Sequence, residues 1–295
     1  MKGSITVVRT GPLALLQDAG RVGHAADGVG RAGAADRASF VLANALVGNP
    51  VGAAAIECML GGLVVRADTD VDVAVTGAPA AADIGGETVA HATRVRLGAG
   101  QTLRLRSPST GLRTYLALAG GINVPPVLGS CSTATLSELG PPPIAQGDEL
   151  PIGDLHSETP ADTGRVTLMG EPVTTLRAQL GPRDDWLTNP ADLAVGEWQV
   201  SPQSNRVGVR LDRPVGSGET AATFPPFRRI ITREMPSEGL PLGAIQVPPS
   251  GQPVIFLADH PLTGGYPVIA VVLDDDIDCA AQLRPGQRLR FVLKP

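Results

Sequence analysis

The side chains of this 295-residue chain that could do chemistry fall into four glycine- and proline-rich regions. The segment QDAGR carries Gln17, Asp18 and Arg21, and GRAGAADRAS carries Arg31 and Asp36. SPQSNRVGVRL carries Ser201, Ser204, Asn205 and Arg206, and the last third supplies Glu234, Ser237, Glu238, Gln246, Asp259 and Thr263. Around Ser237, Glu238 and Gln246, the run PSEGLPLGAIQVPPSG combines glycine, which permits positive φ, with proline, which locks φ at about −65°. A backbone fixed so closely aims its side chains at a ligand or at one another. Charged groups among apolar strands must be paired or face solvent, because isolated burial costs too much. Ion pairs that staple loops are one outcome, and a polar site on loops at strand ends is the other.

Spacing narrows the chemistry. Gly28-Val29-Gly30-Arg31-Ala32-Gly33 spells G-x-G-x-x-G, but GRVGHAAD before it is not the hydrophobic strand that a dinucleotide site needs. A weaker idea survives, that the helix expected from Asp36 onward presents backbone N–H groups to an anion. There is no G-x-x-x-x-G-K-[ST] phosphate loop and no G-x-S-x-G elbow. His24, His91, His156 and His260 lack ligand spacing, so no metal is expected. Asp259-His260 is the one adjacent carboxylate–imidazole pair, readable as a solvated turn or as an acid–base pair. Cys58, Cys131 and Cys279 are odd in number and far apart, which reads as reduced thiols without a catalytic role.

The elements that must position these groups are mainly strands. With 36 Gly, 27 Pro and 43% hydrophobic residues, the chain is too apolar for disorder and rich in turns. A net charge of −5 with no basic stripe argues against a nucleic-acid partner. MKGSITVVRTGP lacks the apolar run of a signal peptide, and no stretch is apolar enough to span a bilayer, so a soluble cytoplasmic protein is expected. VDVAVTG, TLRLRS and NRVGVRL alternate as half-buried strands, whereas PVIFLAD and PVIAVVL are continuous, as in strands covered on both faces. Two segments read as helices: DRASFVLANALVG, with Asp36 as N-cap and Gly48 as stop, and DDDIDCAAQLRPG. GAGQTLRLR, RPGQRLRFV and AQGDELPIG echo one another as a glycine turn feeding a strand. The polar, turn-rich GDLHSETPADTGR suggests a boundary, giving one lobe over residues 1–160 and another over 161–295.

The same segments resemble the biotin-dependent carboxyltransferase family, also called allophanate hydrolase subunit 2, which includes the Kip antagonist proteins. The resemblance runs nearly end to end through LLQDAGRVG, GVGRAGAADRASFVLANALVGNP, GLRTYLALAGGINVPPVLGSCST, GPRDDWL, VSPQSNRVGVRL and MPSEGLPLGAIQVPPSGQPVIFLADHPLTGGYPVIAVV. The chain departs from the family pattern at Gly30, where proline is usual, at Cys131, where arginine is usual, and in a shortened stretch before GDEL.

This resemblance implies two cyclophilin-like β-barrel lobes with a few short helices. It further implies the C component of an ATP-dependent 5-oxoprolinase, working with a smaller homologous B component and a separate A component. The alternatives are the carboxyltransferase portion of a biotin-dependent urea or amide carboxylase, and a non-catalytic antagonist of a kinase-inhibitor homologue. No biotin-carboxylase or biotinyl region stands outside the matched segments, so a free-standing component is expected, with ATP as cofactor and biotin only under the carboxylase alternative. In lactam opening, Asn205 and Arg206 would stabilise developing negative charge and Glu238 or Asp259 would position water. Arg31, Asp36, Ser204, Ser237, Gln246 and Thr263 would bind substrate. On this reading Arg206→Ala and Glu238→Gln abolish turnover and spare the fold.

Overall fold

The structure is a computed structural model and describes residues 3–157, 167, 170–214 and 228–294. It is mainly β, with two α-helices, Arg37–Leu46 and Asp274–Ala281, among the described residues. Two compact units divide the chain: Met1–His24 with Arg31–Met169, and Ala25–Gly30 with Gly170–Pro295. The lobe boundary expected near residue 160 falls outside the described residues.

In the first unit, a seven-stranded and a five-stranded sheet enclose one core. Alternation explains it: Ile5 and Val7 of Ser4–Thr10 and Val73 and Val75 of Val71–Gly77 all turn into that core. The five-stranded sheet is covered again on its other face. Phe40, Ala43 and Val47, on or just after the helix Arg37–Leu46, pack against Ala55, Ala74, Tyr115 and Ala117. Being covered twice, the strand Arg113–Leu118 is buried throughout.

The second unit is a closed barrel. Its strands run in the order Val173–Leu180, Val268–Val272, Ala244–Gln246, Val254–Phe256, Gly208–Asp212, Trp198–Val200 and Arg288–Lys294, and the last pairs in parallel with the first. Barrel closure is thus seen here, while the first unit encloses its core with two sheets. PVIFLAD and PVIAVVL are covered on both faces, as their continuous apolar runs require. Ile255 lies opposite Ile245, and on the other face Leu240 and Val207 pack over Ala244, Val254, Phe256 and Val268. A separate two-stranded ribbon, Glu238–Gly239 with Thr263–Gly264, flanks the barrel strands in sequence.

The three echoed segments are one local structure used three times. Gly100, Gly147 and Gly286 have φ of +79°, +92° and +83°, where only glycine is unstrained. In each turn the fourth residue donates its N–H to the first carbonyl: Gln101 to Gly98, Asp148 to Ala145, Gln287 to Arg284. Its side chain then accepts from the first residue's N–H, at 2.7, 2.8 and 3.1 Å respectively. The turn is therefore closed at both ends, which sets the start of the following strand.

Candidate functional site

In the first unit the N-terminal candidates are tied into structural networks. Asp36 is buried and caps the helix Arg37–Leu46, accepting from Ser39 N at 3.0 Å and from the hydroxyls of Ser39 and Thr167 at 2.7 Å. Its own N–H donates to Tyr115 Oη at 2.8 Å, and Tyr115 donates to Glu57 Oε2 at 2.7 Å. Glu57 in turn faces Arg113 at 3.4 Å, both side chains being buried. Burial and the carboxylates of Glu57 and Asp36 push the Tyr115 hydroxyl well above its ordinary pKa. This corrects the expected anion site: the helix N-terminus is already occupied by the Asp36 carboxylate, which takes the Ser39 N–H that a ligand would need.

Asp18 and Arg21 both tie down the loop that carries them. Asp18 Oδ1 accepts from Gly20 N at 2.8 Å and from Ser130 Oγ at 2.7 Å, while Arg21 Nε donates to Val127 O at 3.1 Å. Arg31 is exposed and donates from Nε to Ala19 O at 3.2 Å. Two concavities of about 580 Å³ lie in this unit, one lined by Asp72 and His156, the other by Asp83 and Arg104, and neither contains a candidate residue.

The remaining candidates lie in the second unit, in two groups. Arg206 and Asp259 form a buried fork. Nε reaches Oδ2 and Nη2 reaches Oδ1, each at 3.0 Å, and the Asp259 N–H donates to Arg206 O at 3.1 Å. Next to them, Asn205 is exposed and folds its own Oδ1 back onto Val207 N and Gly208 N, the loop that starts the strand Gly208–Asp212. Ser204 Oγ accepts from Arg210 N at 3.0 Å. His260 is half-buried, with Nδ1 2.8 Å from Pro261 O, which requires the ring proton on Nδ1. Gly30, of the Ala25–Gly30 segment, approaches the His260 carbonyl.

The second group centres on the ribbon. Glu238 lies opposite Gly264, and Gly239 opposite Thr263. A Cβ on Gly264 would stand 2.7 Å from Gln246 Nε2, so glycine is what lets the ribbon lie on that amide. Gln246 is buried and donates from Nε2 to Tyr266 O at 2.9 Å. Ser237 and Thr263 are exposed beside them on the ribbon. Arg183, which sequence reasoning did not single out, grips Glu238: Nε donates to Oε2 at 3.1 Å and Nη2 donates to Oε1. That guanidinium holds the Glu238 carboxyl below its ordinary pKa.

Also missed were Glu57 and Arg113. The signal available was a charge inside an otherwise apolar strand, AIECM and RTYLAL, which must find a partner. Among the described residues, no cluster of His, Cys, Asp or Glu is placed to hold a metal ion, and no helix is long and apolar enough to cross a membrane.

Residues 27–293 match the family model "Carboxyltransferase domain, subdomain A and B". The chain is 37% identical to the C subunit of the Escherichia coli 5-oxoprolinase over 98% of its own length and 90% of that relative. It matches the crystal structure of TTHA0988 with a TM-score of 0.83 at 34% identity, over 98% of its own length and 56% of that chain. It also matches the crystal structure of the K. lactis urea amidolyase with a TM-score of 0.87 at 26% identity, over its full length but only 19% of that chain. The protein belongs to the carboxyltransferase family, subdomains A and B.

Proposed function

We propose that this chain is the C component of an ATP-dependent 5-oxoprolinase, which opens 5-oxo-L-proline to L-glutamate with hydrolysis of ATP. The observation that carries the reading is the match to a 5-oxoprolinase component over nearly the whole of both chains. In the urea amidolyase the same fold is one-fifth of a much longer polypeptide.

A lactam carbonyl is a poor electrophile, and phosphorylating its oxygen makes attack by water feasible. Water adds to the carbonyl carbon and the C–N bond breaks towards the ring nitrogen, which takes up a proton; a second water then hydrolyses the acyl phosphate so formed, giving the carboxylate and free phosphate. Such a path needs donors around developing negative charge and a carboxylate that orients water. The ribbon and its surroundings offer the second: Glu238 is kept ionised by Arg183, half-exposed, and set beside the Gln246 amide by Gly264. Ser237 and Thr263 add hydroxyls next to it, and Asn205 adds an exposed carboxamide. Arg206 and Asp259 act on this reading through the loops they join, since each already satisfies the other. Arg31 remains an exposed candidate for substrate or partner contact, whereas Asp36 serves the fold.

ATP enters as a substrate of the assembled complex. No phosphate loop is legible in this chain, and the helix N-terminus nearest to the glycine-rich segment carries its own carboxylate cap. The A and B components of the enzyme are the proposed partners, and the cytoplasm the proposed compartment.

A deletion strain tests the assignment. Loss of growth on 5-oxoproline, restored by this chain, supports it. The structural match to the urea amidolyase favours a second reading, carboxyl transfer from carboxybiotin to urea. A biotinylated protein that copurifies and is detected with avidin would support that instead.

A further inference from the structure

Arg183 and Glu238 are 55 residues apart, and each stands on a backbone fixed from two sides. Just after the strand Val173–Leu180, Gly181 N donates to Ile269 O at 2.7 Å and Arg183 N to Val268 O at 3.1 Å. A Cβ at Gly181 would stand 2.6 Å from Val268 O, so the chain hugs the neighbouring strand only because this residue is glycine. Past Arg183, Trp186 N donates back to Arg183 O at 3.2 Å, and the buried Trp186 ring anchors the turn. Glu238 is held by its pairing with Gly264, and the next turn of the ribbon by Leu240, whose N–H bonds Leu262 O at 2.8 Å and whose side chain packs over the barrel strands.

Two rigid supports therefore bring a planar fork to a carboxylate, with one donor on each oxygen. The pair is roughly one-third exposed, at 38% and 32%. Water screens such a pair, so it adds little to stability. Its specific product is orientation, because a guanidinium fixes the plane of a carboxylate where an ammonium would only neutralise it.

We infer that Arg183 is a positioning residue for the reaction, locking the plane of the Glu238 carboxylate so that its remaining lone pairs face the attacking water. The inference rests on the proposed role of Glu238. Glu238 is then a hydrogen-bond acceptor that aligns water rather than a base that removes its proton. The hydrogen bonds from Arg183, and after them its charge, hold the carboxylate ionised, which opposes proton uptake.

The test uses the assembled complex with 5-oxo-L-proline and ATP, comparing wild type, E238Q, R183Q and R183K. A misaligned water costs on the order of 10²-fold in rate. R183Q should therefore lose about that much kcat with KM within about twofold. The acid limb of its pH–rate profile should move up, as Glu238 regains an ordinary pKa. R183K should place the acid limb between those of wild type and R183Q yet remain slow, because charge is restored without the fork. A carbon-detected NMR titration of Glu238 in the full chain gives a readout independent of turnover, with a depressed midpoint in wild type that rises in R183Q. If E238Q is inactive while R183Q and R183K keep wild-type kcat and pH profiles, the positioning role is overturned and the role of Glu238 stands. If E238Q itself turns over normally, the role of Glu238 fails and the inference falls with it. Should R183Q misfold, R183K decides: wild-type kcat overturns the inference, and slow turnover with an acid limb raised only part of the way supports it.

Discussion

Arg206 and Asp259 close on each other as a fork 53 residues apart in sequence, with two contacts of 3.0 Å and side chains 4% and 0% exposed. A pair so deeply placed behaves differently from the exposed pair of Arg183 and Glu238. Removing one partner strands the other charge away from water. The burial revises the expectation that Arg206→Ala would spare the fold. R206A and D259N should each lose about 3–5 kcal/mol in urea unfolding, and the double variant R206M/D259L should recover much of that loss. A cost below about 1 kcal/mol for either single change, as for a surface pair, would contradict this.

Asp36 should prove structural in the same assay. Asp36→Ala removes the cap of the helix Arg37–Leu46, worth about 1–2 kcal/mol, and also deprives the Thr167 hydroxyl of its acceptor. Asp36→Asn should cost less, because the amide oxygen still accepts from Ser39 N. In both cases the loss should appear as a lower urea midpoint with an unchanged slope.

How much of this was legible in the sequence depends on distance along the chain. The helix cap at Asp36 and the glycine turns before Thr102–Leu105 and Arg288–Lys294 are local devices, written within four residues of themselves. So are the apolar runs of the doubly covered strands, because burial on both faces leaves a continuous hydrophobic signature. The partners of Asp259, Glu238 and Glu57 are not local. Asp259 meets Arg206, Glu238 meets Arg183 and Glu57 meets Arg113 only through barrel and sheet closure, and no spacing rule connects them. Composition showed that buried charges must be paired; it could not say with which residue.

The cysteines should be chemically quiet. Burial pushes the Cys58 thiol up to about 11, and its Sγ lies 3.4 Å from Gly61 O. Burial, and then the Asp18 carboxylate, also raise the Cys131 thiol. Neither is a substantial thiolate near neutrality. Native protein should therefore react slowly with iodoacetamide at these two positions, by peptide mass analysis, and the triple Cys→Ala variant should retain activity in the complex. Rapid alkylation of Cys131 that substrate prevents would argue for a role in the site.

Acid sensitivity should have a traceable source in the first unit. Arg94 donates to Asp72 from Nε at 2.9 Å, and Arg96 from Nη1 at 3.3 Å; these bonds hold the Asp72 carboxyl below its ordinary pKa. A depressed folded pKa stabilises the fold above the unfolded pKa, and that contribution is lost as pH falls through the depressed value. Asp72→Asn should thus be less stable than wild type at pH 7, and the gap should narrow as pH drops below about 4. A gap that stays constant between pH 7 and pH 3 would exclude Asp72 as a source.

The assignment to 5-oxoprolinase meets its sharpest test in a reconstituted complex. The chain, combined with the A and B components, is assayed for ADP and L-glutamate formation with and without 5-oxo-L-proline. The expected result is equal amounts of ADP and glutamate, dependent on 5-oxo-L-proline and lost when this chain is omitted. ATP hydrolysis indifferent to 5-oxo-L-proline, or full turnover by the other two components alone, would contradict it.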